Sequence, residues 1–119
     1  MMKVTELEVW KASMDLAKEI YEMSQTFPEV DNNGLGYQLR STITSLPASI
    51  AAAASRKYGK ESLNNLFDAK KVIYEVETQL YLAEMLAFIS NEELERIIEK
   101  LDSSRRLLFG FIKYYKKAS

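Results

Sequence analysis

The sequence contains neither histidine nor cysteine, and these two absences exclude much catalytic and metal-binding chemistry. Histidine is the most frequent general base in enzymes, and with cysteine it supplies most ligands of zinc. Without cysteine there is also no disulfide framework and no thiol nucleophile. Only two prolines and four glycines occur in 119 residues, so no flexible linker divides the chain. We therefore expect a single domain, residues 1–119, with no cofactor and no metal.

Long apolar runs are missing as well. The N-terminal residues carry none of the apolar core of a signal peptide. The uncharged stretch of residues 41–55 is rich in serine and threonine and is shorter than the roughly 20 apolar residues that span a bilayer. We expect a cytoplasmic protein without membrane contact. The net charge of −1 argues against a uniformly basic nucleic-acid binder and leaves local patches open.

The uncharged stretch of residues 41–55 is the feature around which the chain is organised. At helical spacing one of its sides is apolar and another carries only small residues. A helix without a charged face is usually buried all round, so we predict a central helix covered by its own chain on one side and by a neighbouring helix or subunit on the other. The apolar stripe consists of Leu35, Leu39, Ile43, Leu46, Ile50 and Ala53. The predicted oligomer interface consists of Ser41, Ser45, Ala48 and Ala52; the alternative is tight packing inside a monomer.

Apolar residues at helical spacing predict four helices. Three cover about residues 6–27, 35–56 and 60–88, and the fourth begins after Ser90 and carries an apolar stripe from Leu94 to Tyr115. The first helix has two adjacent apolar stripes and therefore a wide predicted buried face: Val9, Leu16, Ile20 and Met23 form one stripe, and Trp10, Met14, Ala17 and Tyr21 form the other. Short connections between the helices point to an all-α, up-down-up-down four-helix bundle.

Local signals mark the ends of these helices. Thr5 with Glu8, and Ser90 with Glu93, have the spacing of capping boxes. Asn33 is a candidate N-cap for the second helix, and Gly59 is a candidate left-handed cap after it. Pro47 lies inside the second helix, where proline removes a backbone hydrogen bond. We predict a kink there; the alternative is two shorter helices.

Charge alternates along the sequence in blocks. Residues 1–33 and 75–102 carry net charges of −4 and −6, whereas residues 34–74 and 103–119 carry +4 and +5. In an up-down-up-down bundle the end of the second helix, the start of the third and the end of the fourth lie together. We call the cations expected there the basic pole: Arg56, Lys57, Lys60, Arg105, Arg106, Lys113, Lys116 and Lys117.

Clustered lysine and arginine is the footprint of phosphate-backbone binding. We predict nucleic-acid contacts at Arg56, Lys57, Lys60, Arg105, Arg106 and Lys113. Tyr58, Tyr114 and Tyr115 lie among these charges and can stack on unpaired bases. The alternative is a solvated pole whose lysines are favoured by the helix dipole near C-terminal ends.

Acidic residues of the third helix, among them Glu77 and Glu84, raise the question of a metal site. Carboxylate-bridged metals in helical bundles usually pair glutamate with a Glu-x-x-His motif, and this sequence has no histidine. We predict instead that one of these glutamates pairs with Arg40, Arg105 or Arg106 near the core. The serines of the second helix have no base to activate them, so we expect no enzyme.

Three groups of residues together resemble one known family. They are Val9-Trp10-Lys11 with Met14-Asp15-Leu16; Phe27-Pro28, Gly34-Leu35, Gln38-Leu39-Arg40 and Ser45-Leu46-Pro47-Ala48; and Glu75-Val76-Glu77-Thr78-Gln79-Leu80. Their order is similar to that in the 23S ribosomal RNA intervening-sequence proteins, over about residues 7–113. The resemblance implies a four-helix bundle that assembles into a ring-like pentamer and has no established enzymatic activity.

A related group, the accessory variability proteins of diversity-generating retroelements, is basic and binds nucleic acid. After the proline, relatives commonly read Ala-Asn-Ile-Ala-Glu-Gly, whereas this chain has Ser49, Ala52 and Ala53 at the Asn, Glu and Gly positions. The main hypothesis is a non-enzymatic homo-oligomer that binds RNA or DNA through the basic pole. The alternative is a protein–protein scaffold without nucleic-acid binding.

Overall fold

The computed structural model describes residues 3–28 and 34–118. A short 3-10 turn, Val4–Glu6, precedes four helices: α1 (Glu8–Ser24), α2 (Leu35–Ser55), α3 (Lys60–Met85) and α4 (Asn91–Ala118). Each helix packs against the next along the chain, and α1 also packs against α4. Within the described ranges there is no strand. The predicted up-down-up-down four-helix bundle is confirmed.

One apolar stripe from each helix forms the core. The predicted α2 stripe is buried along its whole length, and Leu39, Ile43 and Ala53 have no exposed surface at all. On α3 the buried stripe consists of Leu66, Ala69, Ile73, Val76, Leu80 and Ala83. A four-helix bundle packs in this way because residues three and four apart share one helix face.

The predicted second apolar stripe of α1 is wrong. Val9, Leu16, Ile20 and Met23 are buried as expected, but Met14 is 44% exposed, Tyr21 is 43% exposed and Trp10 is only half-buried. In the second stripe only Ala17 is buried. Because α1 contacts only α2 and α4 among the helices, a single stripe is enough to fill the space between them.

The first capping box is also wrong, whereas the second is confirmed. The N-cap of α1 is Leu7, which has no side-chain cap bond; the preceding turn is held by the Lys3 N–H, which donates to Glu6 Oε1 at 2.9 Å. At α4 the Ser90 N–H donates to Glu93 Oε1 at 3.0 Å, and the Glu93 N–H donates to Ser90 Oγ at 3.1 Å. For α2 the candidate cap Asn33 lies outside the described residues, and the N-cap is Gly34.

Helix α2 continues through Pro47, which excludes two shorter helices. The proline is buried and leaves the Ile43 carbonyl without its usual donor. Just before it, the hydroxyls of Thr44 and Ser45 donate to the carbonyls of Ser41 and Thr42, at 2.9 and 2.5 Å. A kink at this position stays a prediction.

Left-handed backbone occurs at both ends of α3, but not as predicted. After α2 the C-cap is Arg56 and Lys57 takes φ 61°, while Gly59, with φ 126°, is the N-cap of α3. At the other end α3 stops at Met85 rather than near residue 88. Ala87 takes φ 62°, and the N–H groups of Ala87 and Phe88 donate to Glu84 and Ala83 carbonyls at 2.9 Å. This is a Schellman cap that is normally built with glycine.

Candidate nucleic-acid interface

Four chain segments meet at one end of the bundle. The hydroxyls of Tyr58, in the α2–α3 connection, and Tyr114, near the end of α4, lie 2.8 Å apart. Leu7, at the start of α1, and Ala54, near the end of α2, line the same cavity as both tyrosines. The start of α1, the end of α2, the start of α3 and the end of α4 therefore share one pole, as the topology predicts.

An aromatic cluster lies at this pole. Measured between ring centroids, Tyr115 lies 4.9 Å from Tyr58 and 4.7 Å from Phe111, and Tyr58 lies 5.8 Å from Tyr114. Tyr115 is buried, whereas Tyr58 and Tyr114 are exposed. With Lys57 these rings surround an open cavity of about 570 Å³, a volume that accommodates a planar heterocycle.

Two tyrosines of this cluster, Tyr58 and Tyr115, have raised pKa values. The hydrogen bond with Tyr114 raises the pKa of Tyr58 above 10, and burial raises the pKa of Tyr115 in the same direction. Neutral phenols do not repel phosphate, so the rings are compatible with an anionic ligand beside Lys57.

Several predicted phosphate contacts are exposed at this pole. Lys57 and Lys60 lie in and just after the α2–α3 connection, and Lys113 lies on the last turns of α4. Arg56 is also exposed but forms an ion pair with Glu61. Arg106 is exposed, donates to Ser103 Oγ at 3.2 Å and borders a groove beside the start of α1.

The charge separation is incomplete, because acids also lie at the basic pole. Glu6 and Glu8 are exposed at the start of the chain, and Glu8 lies 3.4 Å from Lys11. Glu61 faces Arg56. These acids lie in the 3-10 turn, at the start of α1 and at the start of α3, so the pole carries acids beside its lysines.

Arg105 does not join the other predicted contacts. It lies midway along α4, where its Nη2 is 2.8 Å from Glu77 Oε2 and 3.3 Å from Asp102 Oδ1. Its guanidinium also covers the Tyr74 ring at 5.0 Å. Burial alone would lower the pKa of Arg105, but the hydrogen bond and charge of Glu77 outweigh it and keep the guanidinium ionised. The predicted pairing of a third-helix glutamate with an arginine is confirmed.

Sequence reasoning missed a second aromatic and basic site, between α3 and α4. We call it the Phe–Lys groove; it encloses about 220 Å³ and is lined by Phe67, Lys70, Phe109, Ile112, Lys113 and Lys116. The Lys70 Nζ lies 5.1 Å from the Phe109 ring centroid, and the Lys116 Nζ lies 5.5 Å from that of Phe67. The available signal was that both phenylalanines fall outside the regular apolar stripes of their helices.

The predicted oligomer interface lies on the outer side of α2. Ser41 and Ala48 are exposed, and Ser45 and Ala52 are half-buried. The core stripe of the same helix is buried, so the two faces point in different directions, as predicted. The small face is therefore accessible to another molecule.

Away from the basic pole, ion pairs join α1 to α4. Lys100 Nζ lies 2.7 Å from Asp15 Oδ2 and also contacts Glu19, which accepts a second hydrogen bond from Arg96. Burial raises the pKa of Glu19, but the bonds from Lys100 and Arg96 outweigh burial and hold that pKa below its ordinary value. The hydrogen bond with Asp15 is the main reason that the pKa of Lys100 is raised.

A metal site and a membrane-spanning helix are both absent from residues 3–28 and 34–118. No group of three or more acidic side chains is placed to hold a metal ion. No helix in these ranges is long and apolar enough to cross a membrane.

Comparison with known proteins gives a family and a fold. Residues 5–110 match the profile of a family described as 23S rRNA-intervening sequence protein. A solved structure from Bacteroides thetaiotaomicron, described as a protein of unknown function from the S23 ribosomal protein family, superimposes with a TM-score of 0.80. The two sequences are 24% identical, and the match covers 88% of this chain and 95% of the other. A search of curated proteins found no significant match.

Proposed function

The chain belongs to the 23S rRNA-intervening sequence protein family, and from this premise we propose that it is a binding protein, not an enzyme, that holds RNA or DNA at its basic pole. The resemblance that the sequence shows to this family is confirmed by the match over residues 5–110. The description of the family refers to 23S rRNA and names no activity. A cytoplasmic location follows as part of the proposal.

The observation that carries the proposal is that exposed lysines lie at the same end of the bundle as the aromatic cluster. Lys57, Lys60 and Lys113 form no ion pair with any acid in the described ranges. Their charges therefore remain available to phosphate, and Lys57 lines the same cavity as the exposed rings of Tyr58 and Tyr114. Phosphate contacts of this kind give affinity without sequence readout.

The six predicted contacts divide into two classes. We propose that Arg56, Lys57, Lys60, Arg106 and Lys113 contact phosphate, with Arg56 exchanging Glu61 for the ligand. Arg105 stabilises the α3–α4 packing instead, because Glu77 and Asp102 already neutralise it.

The test is binding of nuclease-treated protein to labelled single-stranded RNA, structured RNA and DNA across a salt series. The double variant Lys60→Glu with Lys113→Glu should weaken binding and flatten the dependence of log K on log salt by about 0.7–0.9 for each contact removed. The matched control is Lys18→Glu, which reverses an exposed lysine on α1. Equal affinity and equal slope for the double variant and wild type would reject the assignment.

We also propose that the small face of α2 is where a second copy docks. Small side chains let two helices approach closely, and an uncharged face has no charges to desolvate. The family resemblance implies a closed pentamer. Ala48→Phe should lower the assembled mass measured by light scattering, with Ala48→Ser as the size-matched control. An assembled mass that Ala48→Phe leaves unchanged would place the contact elsewhere.

One observation favours the scaffold alternative. At the end of α3 away from the basic pole, Leu82, Met85 and Leu86 are exposed, Met85 by 78%. Neighbouring exposed apolar side chains often mark protein-binding surfaces. If the protein is a scaffold, Leu82→Ser with Met85→Ser should abolish capture of a protein partner in nuclease-treated lysate, whereas Lys60→Glu with Lys113→Glu should not.

A further inference from the structure

We propose that the Phe–Lys groove is the path of a single-stranded nucleic acid, with bases stacked on Phe67 and Phe109 and phosphates held by Lys70, Lys113 and Lys116. The inference rests on the proposed nucleic-acid function and deepens it by naming the form of nucleic acid that the protein prefers. It adds four residues that are not among the six contacts predicted from the sequence: Phe67, Lys70, Phe109 and Lys116, of which only Lys116 belongs to the predicted basic pole.

The first reason is the exposure of the two phenylalanines. Phe67 is 41% exposed and Phe109 is 36% exposed, although phenylalanine gains most when it is buried. They lie on neighbouring helices and line one groove. Two exposed rings on one groove form a stacking platform of the kind that sequence-tolerant single-strand binders use.

The second reason is the cations that already cover the rings. The Lys70 and Lys116 ammonium groups lie 5.1 and 5.5 Å from ring centroids, within reach of a cation–π interaction. A base that stacks on a ring displaces the ammonium from its face. The flexible lysine stem then carries the charge outward to the adjacent phosphate, so one movement opens the stacking site and forms the phosphate contact.

The third reason is charge complementarity. The lining of the groove contains three lysines and no acid, so its occupant is anionic. Further along the same two helices, Glu77 is neutralised by Arg105, whose guanidinium covers a third aromatic ring, that of Tyr74. The groove therefore combines anion binding with apolar ring faces along its length.

The form of the nucleic acid follows from the geometry of stacking. In a duplex the base faces are stacked on each other and cannot reach a ring on the protein surface, whereas unpaired bases can. A duplex can use the lysines but not the phenylalanines. The two contributions can therefore be separated by substitution.

The experiment compares binding of a fluorescein-labelled twelve-nucleotide oligouridine and a labelled RNA duplex of twelve base pairs, at one fixed salt concentration. The variant is Phe67→Leu with Phe109→Leu, which keeps apolar volume and helix propensity and removes the ring faces. The expected result is a loss of about tenfold or more in oligouridine affinity, with duplex affinity unchanged. The matched control is Tyr21→Leu, which removes a similarly exposed ring from α1.

The lysines are tested separately. Lys70→Gln with Lys116→Gln should weaken binding of both ligands and lower the salt slope for oligouridine by about 0.7 for each lysine removed. Circular dichroism and the midpoint of thermal unfolding verify that each variant is folded. An acidic polypeptide of matched length serves as a competitor, because it offers charge without bases.

The outcomes distinguish failure of the groove assignment from failure of the proposed nucleic-acid function. If wild type binds neither RNA, the proposed function fails and the groove assignment fails with it. If wild type binds RNA but the phenylalanine variant keeps its oligouridine affinity, or loses duplex affinity equally, the groove assignment alone is overturned. Complete displacement of oligouridine by the acidic polypeptide at equal concentration would also overturn it, since charge alone would then account for binding.

Discussion

Removing Arg105 should cost stability and leave nucleic-acid binding intact. The residue sits at the centre of the α3–α4 packing, and its side chain keeps only 18% of its surface exposed, against 29% for Glu77. Arg105→Met keeps much of the stem that packs against the neighbouring residues and removes the charge. Glu77 is then left half-buried without its partner.

The magnitude follows from the geometry. At 2.8 Å and an effective dielectric constant of about 20, the gross attraction is about 6 kcal/mol. Desolvation and side-chain ordering offset most of it: exposed pairs contribute up to about 1 kcal/mol, and breaking fully buried pairs costs about 3–5 kcal/mol. For this pair, which is neither exposed nor fully buried, we expect about 1–2 kcal/mol, plus about 0.5–1 kcal/mol for the lost contact with the Tyr74 ring.

The free energy of unfolding of Arg105→Met should therefore fall by about 2 kcal/mol, which lowers the thermal midpoint by about 8 °C for a chain of this length. Urea unfolding followed by circular dichroism measures it. A double-mutant cycle with Glu77→Gln isolates the pair and should give a coupling energy of about 1 kcal/mol. The matched control is Arg106→Met, because Arg106 is exposed and should change stability by less than about 0.5 kcal/mol.

Two results would refute this reasoning. If Arg105→Met is as stable as Arg106→Met, or if the cycle shows no coupling, the ion pair contributes nothing to the α3–α4 packing. If Arg105→Met stays folded and loses more RNA affinity than Arg106→Met, then Arg105 contacts phosphate after all, as the sequence alone predicts.

Two further predictions concern the backbone and pH. Ala87→Gly should stabilise the protein by about 0.5–1 kcal/mol, because alanine is strained at φ 62°. Gly59→Ala should destabilise the protein by about 1–3 kcal/mol, because alanine is strained at the φ of 126° that Gly59 adopts. Equal urea midpoints for the two variants would contradict this. The free energy of unfolding should fall as the pH drops below 4.5, the ordinary pKa of glutamate. Lys100 and Arg96 hold the pKa of Glu19 below that value, and protonation of Glu19 removes the bonds that it accepts from them. Glu19→Gln should flatten that acid limb; an identical pH profile in wild type and variant would show that Glu19 is not responsible.

Periodicity was sufficient for the architecture. The stripes of α2 and α3 are regular and separated by short connections, so helix number, order and core residues follow from the sequence. Periodicity cannot say how many apolar stripes a helix buries, because that depends on how many neighbours it has. Met14 and Tyr21 were placed in the core for this reason, and α1 has too few neighbours to cover them.

Cap positions were predicted less well. The Ser90–Glu93 pair is confirmed because both bonds are local. The Thr5–Glu8 pair fails because the chain first makes a 3-10 turn that moves the helix start to Glu8. Left-handed caps at Lys57 and Ala87 could not be read from the sequence, since neither residue prefers that conformation.

The candidate site was predicted in outline. Charge blocks and topology place Lys57, Lys60 and Lys113 at the same pole without knowledge of any side-chain position. They do not show which cation an acid already neutralises, as for Arg105, since Glu77 is far from it in sequence. They also do not show the Phe–Lys groove, which depends on how α3 and α4 are turned about their axes.

The lysine-rich end of the bundle has a consequence for assembly. If copies assemble into the proposed ring, cyclic symmetry turns the same end of every copy to the same side, and the lysine-rich ends would then lie together as a ring of like charge. Their mutual repulsion opposes ring closure and weakens as salt screens it. A polyanion bound across these ends would reduce that repulsion and would contact several copies at once. Ring closure and polyanion binding are then thermodynamically linked, so each strengthens the other by the same factor.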